Sequence, residues 1–265
     1  MQIFIVDTSS DLNVFFQKST PNLPFLNTNL LSFMRDGFTR QASIHNEPVE
    51  VFFPDTWELD SHEKKYDGNY SEYLKDEYNL VFLLSLTTVL TGNISREDVA
   101  VLKQHPDTAY FNNGVVGGYI KGEMPTPTED SSLFAGFWPV TEDNFLKINQ
   151  ELTAQLSASK AVNDNITTFG NPVILSESLW NSTICAPSFI GENVSIHNSY
   201  IGAGSVITGN TTISNSRILH SFITDSSVEN VKQMEGTLVA GGSRLKGVSL
   251  SKSRVPYGSV LEGNV

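Results

Sequence analysis

Three cations stand near the start of this chain, Lys18, Arg35 and Arg40. They are residue types that hold phosphate, by point charge or by a guanidinium fork. A nucleotide or a sugar phosphate is the ligand such a group would take, and solvated surface charge is the ordinary alternative. Asp7 and Asp11 flank the end of the first apolar segment. They could hold a metal ion, although an Asp there more commonly caps a turn. Two histidines, His197 and His220, lie far along the chain. An imidazole can act as a general base on an amine or hydroxyl. Cys185 is the single cysteine and follows Ile184, so it reads as a small packed side chain. No internal disulfide and no Cys-rich zinc site can form. Spacing brings out no Ser–His–Asp or Cys–His grouping, and no metal site is assigned.

The elements that position these residues belong to a chain of 265 residues, long enough for one large domain or two modest ones. Its 39% hydrophobic and 10% aromatic content is that of a folded protein. The net charge of −12 repels phosphate backbones and anionic membranes, so nucleic acid and lipid are not expected as partners. An anionic small molecule requires cations that converge locally. The segment MQIFIVDTSSDLN has no basic region ahead of a long apolar core, so it does not read as a signal peptide. The run NLVFLLSLTTVL (79–90) is too short to span a bilayer and reads as a buried strand running into a turn. A cytoplasmic location is the expectation.

The second half carries a repeat. Val173, Leu179, Ile184, Ile190, Ile196, Ile201, Ile207, Ile213, Ile218, Ile223 and Val228 follow one another at steps of five or six, with small or polar residues between. That spacing fits neither a strand's alternation nor a helical turn. Three steps make 17 residues, as from Ile184 to Ile201 to Ile218, or from Val173 to Ile190. A coil of about 17 residues with three short sides would stack each set vertically, every strand bonded to the coil above. Gly191, Gly202, Gly204, Gly209, Asn193, Asn210 and Asn215 suit the corners. A Ser/Thr-rich β-sandwich would alternate with period two, and this segment does not. After Val228 the period slips. One more stack, Leu238 with Leu245, precedes a tail that reads as a cap.

In the first half, MQIFIVDT, VEVFF (49–53) and NLVFLLSL (79–86) read as strands, and NTNLLSFMRDGF (27–38) as a helix. Ser95 to Asp98 opens a helix with a capping box. Asn113-Gly114 turns a hairpin within 108–122, and Pro125 to Ser132 is a polar loop. Phe145, Ile148, Leu152 and Leu156 make one face of a helix over 141–156. Strands alternating with helices predict a layered α/β domain over 1–160. The coils then occupy 166–265.

The hexapeptides Ile190-Gly-Glu-Asn-Val-Ser and Ile201-Gly-Ala-Gly-Ser-Val resemble the repeat of the left-handed parallel β-helix. The handedness comes with that resemblance. The segment 190–265, with SYIG, SRILHSFI, SRLKG and the terminal VLEGNV, is similar to the C-terminal β-helix of the long-form glucose-1-phosphate thymidylyltransferases. The first half resembles the N-terminal half of GlmU-like sugar nucleotidyltransferases in three places. These are the opening strand with STPNLPFLNTNLLSFMRDGF, the block from NLVFLLSL to YIKGE, and Trp138 with Asn144 six residues on.

The resemblance implies an α/β nucleotidyltransferase-like N-terminal domain joined to a left-handed parallel β-helix. It implies a transferase-like protein of sugar-nucleotide metabolism, with a sugar phosphate or nucleotide as ligand and Mg²⁺ if nucleotidyl transfer is retained. The chain departs from the family in two places. The loop DTSSDLNVFFQKSTPNLP has no glycine, no arginine and one lysine, Lys18, and the strand ending in LSLTTVL has no acid. Transfer activity is therefore expected to be weak or lost. Two alternatives are an acyltransferase using His220 or His197, and a non-catalytic scaffold or regulatory subunit. Tyr200, Phe189 and Phe222 sit beside core positions and would face outward, which predicts a homo-oligomer, a trimer, built through the β-helix.

Overall fold

A computed structural model describes residues 1–6, 11–18, 22–26, 28–29, 31–32, 35, 48–59, 61, 63–74, 77–85, 88–90, 94–141, 143–156 and 165–263. The chain divides into two compact units, 1–10 with 30–141, and 11–29 with 142–265.

The first unit is built on a mixed sheet of seven strands. Gln2–Val6 lies inside it, because Ile3, Phe4 and Ile5 have no exposed surface and need cover on both faces. Glu50–Pro54 pairs with one edge of that strand and Asn79–Ser85 with the other, both parallel. Lys64–Tyr66 extends the sheet beyond Glu50–Pro54. Val115–Ile120 runs antiparallel to Asn79–Ser85 and turns back into Ala109–Asn112. The reversal is at Asn113 (φ 51°) and Gly114 (φ 76°), the pair expected to make it. Thr128–Glu129 closes that side, within the stretch expected to be a loop.

Helix α2, Arg96–Gln104, starts on the predicted capping box. The Ser95 hydroxyl accepts from the Asp98 amide, and the Asp98 carboxylate accepts from the Ser95 amide. Asp98 also accepts from the buried Phe134 amide at 3.3 Å, so the cap doubles as a tie to a distant loop. Of the helix expected over 27–38, Leu31, Ser32 and Arg35 are helical. Thr28–Asn29 is instead a strand, paired with Pro24–Phe25, and the remainder lies outside the described residues. The run expected to leave its strand in a turn forms a second strand, Thr88–Leu90, against Phe137–Pro139.

The second unit contains three parallel sheets of six strands each, the arrangement of a β-helix. The expected stacks hold in register: Leu179 on Ile196 on Ile213, Ile184 on Ile201 on Ile218, and Ile190 on Ile207. All are buried in one aliphatic core. Two expectations need correction. Val173 does not stack on Ile190; its partner is Phe189, and Ile174 is the inward residue. The coils do not end near Val228. Inward residues continue as Met234, Val239, Leu245, Leu250, Val255 and Leu261, and the last strand is Val260–Glu262. The tail expected to be a cap after Leu245 is one further coil, made of Ser249–Ser251, Arg254–Val255 and Val260–Glu262. Leu238 pairs with Phe222 and faces away from the core that holds Leu245.

Inside one corner runs a column of serines. The hydroxyls of Ser182, Ser199 and Ser216 each donate to the carbonyl two residues back. Each accepts from the amide one coil on, at Ser199, Ser216 and Val231. Beside them the corner itself takes positive φ at Asn181, Asn198, Asn215 and Asn230. Of the corner residues expected from the sequence, Gly204, Gly209 and Asn215 do adopt positive φ; Gly191, Gly202, Asn193 and Asn210 do not.

One face of the coils is covered by the chain itself. Helix α1, Asp11–Phe16, and helix α3, Phe145–Gln155, belong to this unit. Phe16, Phe25 and Phe145 gather over Phe222, with Phe145 and Phe222 4.9 Å apart between ring centroids. Buried Asn149 accepts from the Leu26 amide at 3.3 Å, tying the strap 22–29 to α3. Gln150 donates to the Gly204 carbonyl at 2.6 Å, tying α3 to a coil. Phe189 and Phe222 do point outward as expected, yet they are buried at 2% and 0% exposure. The surface argument for an oligomer therefore loses two of its three aromatics.

Candidate functional site

The parallel strands of the first unit define one candidate position. From Gln2–Val6 the sheet grows outward on one side through Glu50–Pro54 and on the other through Asn79–Ser85. Ligands of open α/β sheets bind beyond the carboxyl ends of the strands at such a reversal, and here those ends are Val6 and Ser85. Residues 7–10, 86–87 and 91–93 beyond those ends lie outside the described residues, and with them Asp7 and the strand-end loop. Asp11 has its backbone in α1, with its side chain outside the description.

Arg35 is placed elsewhere. Its guanidinium forks onto Glu63, with Nε donating at 2.6 Å and Nη2 at 2.5 Å. Glu63 stands at the amino-terminal start of the edge strand Lys64–Tyr66, so this cation is held away from the carboxyl ends. Arg40 lies outside the described residues. Among the described residues no three His, Cys, Asp or Glu side chains converge on one point. No chemical step is assigned to Mg²⁺.

Lys18 belongs to the second unit, and it lines a second candidate, a cleft of about 750 Å³. One wall is the strap, with Gln17, Lys18, Asn22 and Asn29. The other is a single corner repeated on three successive coils: Glu192 with Asn193, Thr208 with Gly209, and Thr224 with Asp225. Asp225 is fixed by several contacts. The Asn210 amide donates to Oδ1 at 3.0 Å, the Thr224 hydroxyl donates to Oδ2 at 3.3 Å, and Lys18 Nζ stands 3.6 Å from Oδ2. Gly209 makes room for this carboxylate. Its φ is +63°, and a Cβ there would come within 2.5 Å of Asp225 Oδ1.

The two histidines sit at separate places on the coils. His197 is exposed in Ser195–His197, its Nε2 2.9 Å from Ser195 Oγ. Trp180 lies beside it one coil back and Ser214 one coil on. His220 occupies a corner at φ 43°, with its ring packed on Gly204. Among the described residues no carboxylate contacts either ring, so neither imidazole has the partner that would orient it as a base. Cys185 donates to the Tyr200 hydroxyl at 3.3 Å, and Arg217 lies over the Tyr200 ring at 4.3 Å. The Tyr200 phenol is raised above its ordinary range, first by its hydrogen-bonded pairing with Cys185, while Arg217 pulls it the other way.

The sequence singled out Lys18 but missed the cleft that holds it. Glu192, Asn193, Thr208, Thr224 and Asp225 each follow an inward isoleucine by one to three residues. Corner positions one coil apart must stack, and that was the signal available. Among the described residues no helix is long and apolar enough to cross a membrane. No model of a known protein family matches this chain, and no curated protein matches it.

Proposed function

We propose that this is a sugar-phosphate nucleotidyltransferase-like protein of sugar-nucleotide metabolism, with nucleotidyl transfer weak or lost and a left-handed β-helix as its second unit. The observation that carries the reading is the strand order of the first unit, in which Gln2–Val6 is flanked by parallel strands on both sides. In sheets of that order ligands bind at the carboxyl ends of the two strands, which here are Val6 and Ser85. The loss of transfer is supported by charge. Bringing a nucleoside triphosphate to a sugar phosphate requires cations on the phosphates. Lys18 and Arg35 are each already matched to a carboxylate, Asp225 and Glu63.

Nucleotide binding tests this directly. Titration of UTP or dTTP with Mg²⁺ should give a Kd no tighter than about 1 mM, equivalent to roughly −4 kcal/mol. Amide resonances of Val6 and Ser85 should shift as nucleotide is added. Micromolar binding with shifts at Val6 and Ser85 would overturn the reading that triphosphate binding is lost. Shifts confined to other residues, or none up to the solubility limit, would overturn the site.

A further inference from the structure

We propose that the cleft between Gln17, Lys18, Asn22, Pro24 and Asn29 on one side and the coil corners on the other is a binding site for a neutral, hydroxyl-rich ligand, a sugar, separate from any nucleotide site of the first unit. The cleft volume of about 750 Å³ falls within the range of small-molecule sites, about 300–1,000 Å³. Its chemistry narrows the class. The ionisable groups lining it are Lys18, Glu192 and Asp225, one positive and two negative, on a chain of net charge −12. A phosphate would meet net repulsion there, and its one cation already stands 3.6 Å from Asp225. Among the described residues Pro24 is the one apolar side chain of the lining, so a hydrocarbon ligand would bury little of its surface against like.

What remains is a molecule that both donates and accepts at many points. Carboxylates accept two hydroxyl protons each, amides and threonines do both, and Lys18 donates. The corner geometry sharpens the argument. Thr208 and Thr224 are register partners on neighbouring coils, Glu192 lies at the same corner one coil earlier and one residue further along, and parallel strands repeat at about 4.8 Å. That step is close to the separation of equatorial oxygens on alternate carbons of a pyranose ring, so one ring laid along the column bridges two neighbouring coils, as at Thr208 and Thr224. Asp225 is preorganised for this by the Asn210 amide and the Thr224 hydroxyl, and the room for it is guaranteed by Gly209.

The test is saturation-transfer and amide-shift NMR on the whole chain with glucose, galactose, mannose and N-acetylglucosamine. Glucose 1-phosphate and UTP serve as comparisons. At least one neutral sugar should saturate, with shifts at Thr208, Thr224 and Asn193. Asp225→Asn, and independently Asn193→Ala, should weaken that binding at least tenfold while leaving the thermal transition in place. No saturable binding of any of the four sugars would overturn the proposal. So would shifts confined to residues outside the cleft, or tighter binding of glucose 1-phosphate than of glucose at the same residues. The nucleotide experiment reads Val6 and Ser85, so the two readings can fail separately.

Discussion

Phe222 points away from the coil axis and meets the ring of Phe145 on α3 edge-on, with centroids 4.9 Å apart and planes at 77°. Both rings have no exposed surface. The outer face of this sheet is thus a second core, separate from the aliphatic one along the axis.

Phe222→Ala should therefore behave as a core truncation. The expected loss is about 3–5 kcal/mol, because the ring's transfer energy goes and the rigid coil cannot collapse into the gap. Tyr200→Ala, on a face with no such cover, should lose much less. Urea unfolding of the two variants side by side measures the contrast. A Phe222→Ala loss equal to that of Tyr200→Ala would mean the helices do not cover this face.

The coils were legible wherever isoleucine marked the inward row, since only a side that returns every five or six residues can line a triangular axis. The reading failed where the inward residue changed type. Met234, Val239, Leu245 and Leu250 keep the five- and six-residue steps, but no longer stand out from neighbours such as Val231 and Leu238. At the start, Val173 and Ile174 are adjacent and both apolar, and spacing alone could not say which turns inward. In the first unit the capping box and the Asn-Gly turn were legible because each is local chemistry. The packing of Phe16 and Phe145 on Phe222 was not, because it joins segments far apart in the chain. The cleft at Lys18 depends on that same packing, so it could not be read before the fold was known.

The serine column offers a test in which two chemically identical substitutions should differ. Ser199 donates to the His197 carbonyl and accepts from the Ser216 amide. Removing its hydroxyl strands a buried N–H, at a cost of about 1–3 kcal/mol. Ser205 is equally buried, but its hydroxyl has no hydrogen-bond partner. Its loss removes a desolvated polar group, so Ser205→Ala should be neutral or more stable. Chemical denaturation of both alanine variants decides the matter, and equal losses would mean the column carries no net energy.

The last test concerns alkaline pH. The Tyr78 hydroxyl donates to Asp107 Oδ2 at 2.6 Å, and its ring stacks on Tyr119 with centroids 5.2 Å apart. The phenol is raised above its usual 10.0, first by that hydrogen bond, then by desolvation and by the negative charge of Asp107. The neutral form is the one that bonds, so the folded state holds this proton more tightly than the unfolded state. The stability gained is fully present below pH 10, the unfolded value, and is lost as pH rises through the higher folded value. Tyr78→Phe keeps the ring stack and has no proton to lose. The melting temperature of the native chain relative to this variant should be steady from about pH 8 to pH 10 and fall above it. A difference that stays flat to about pH 12 would mean that the bond to Asp107 does not form in solution.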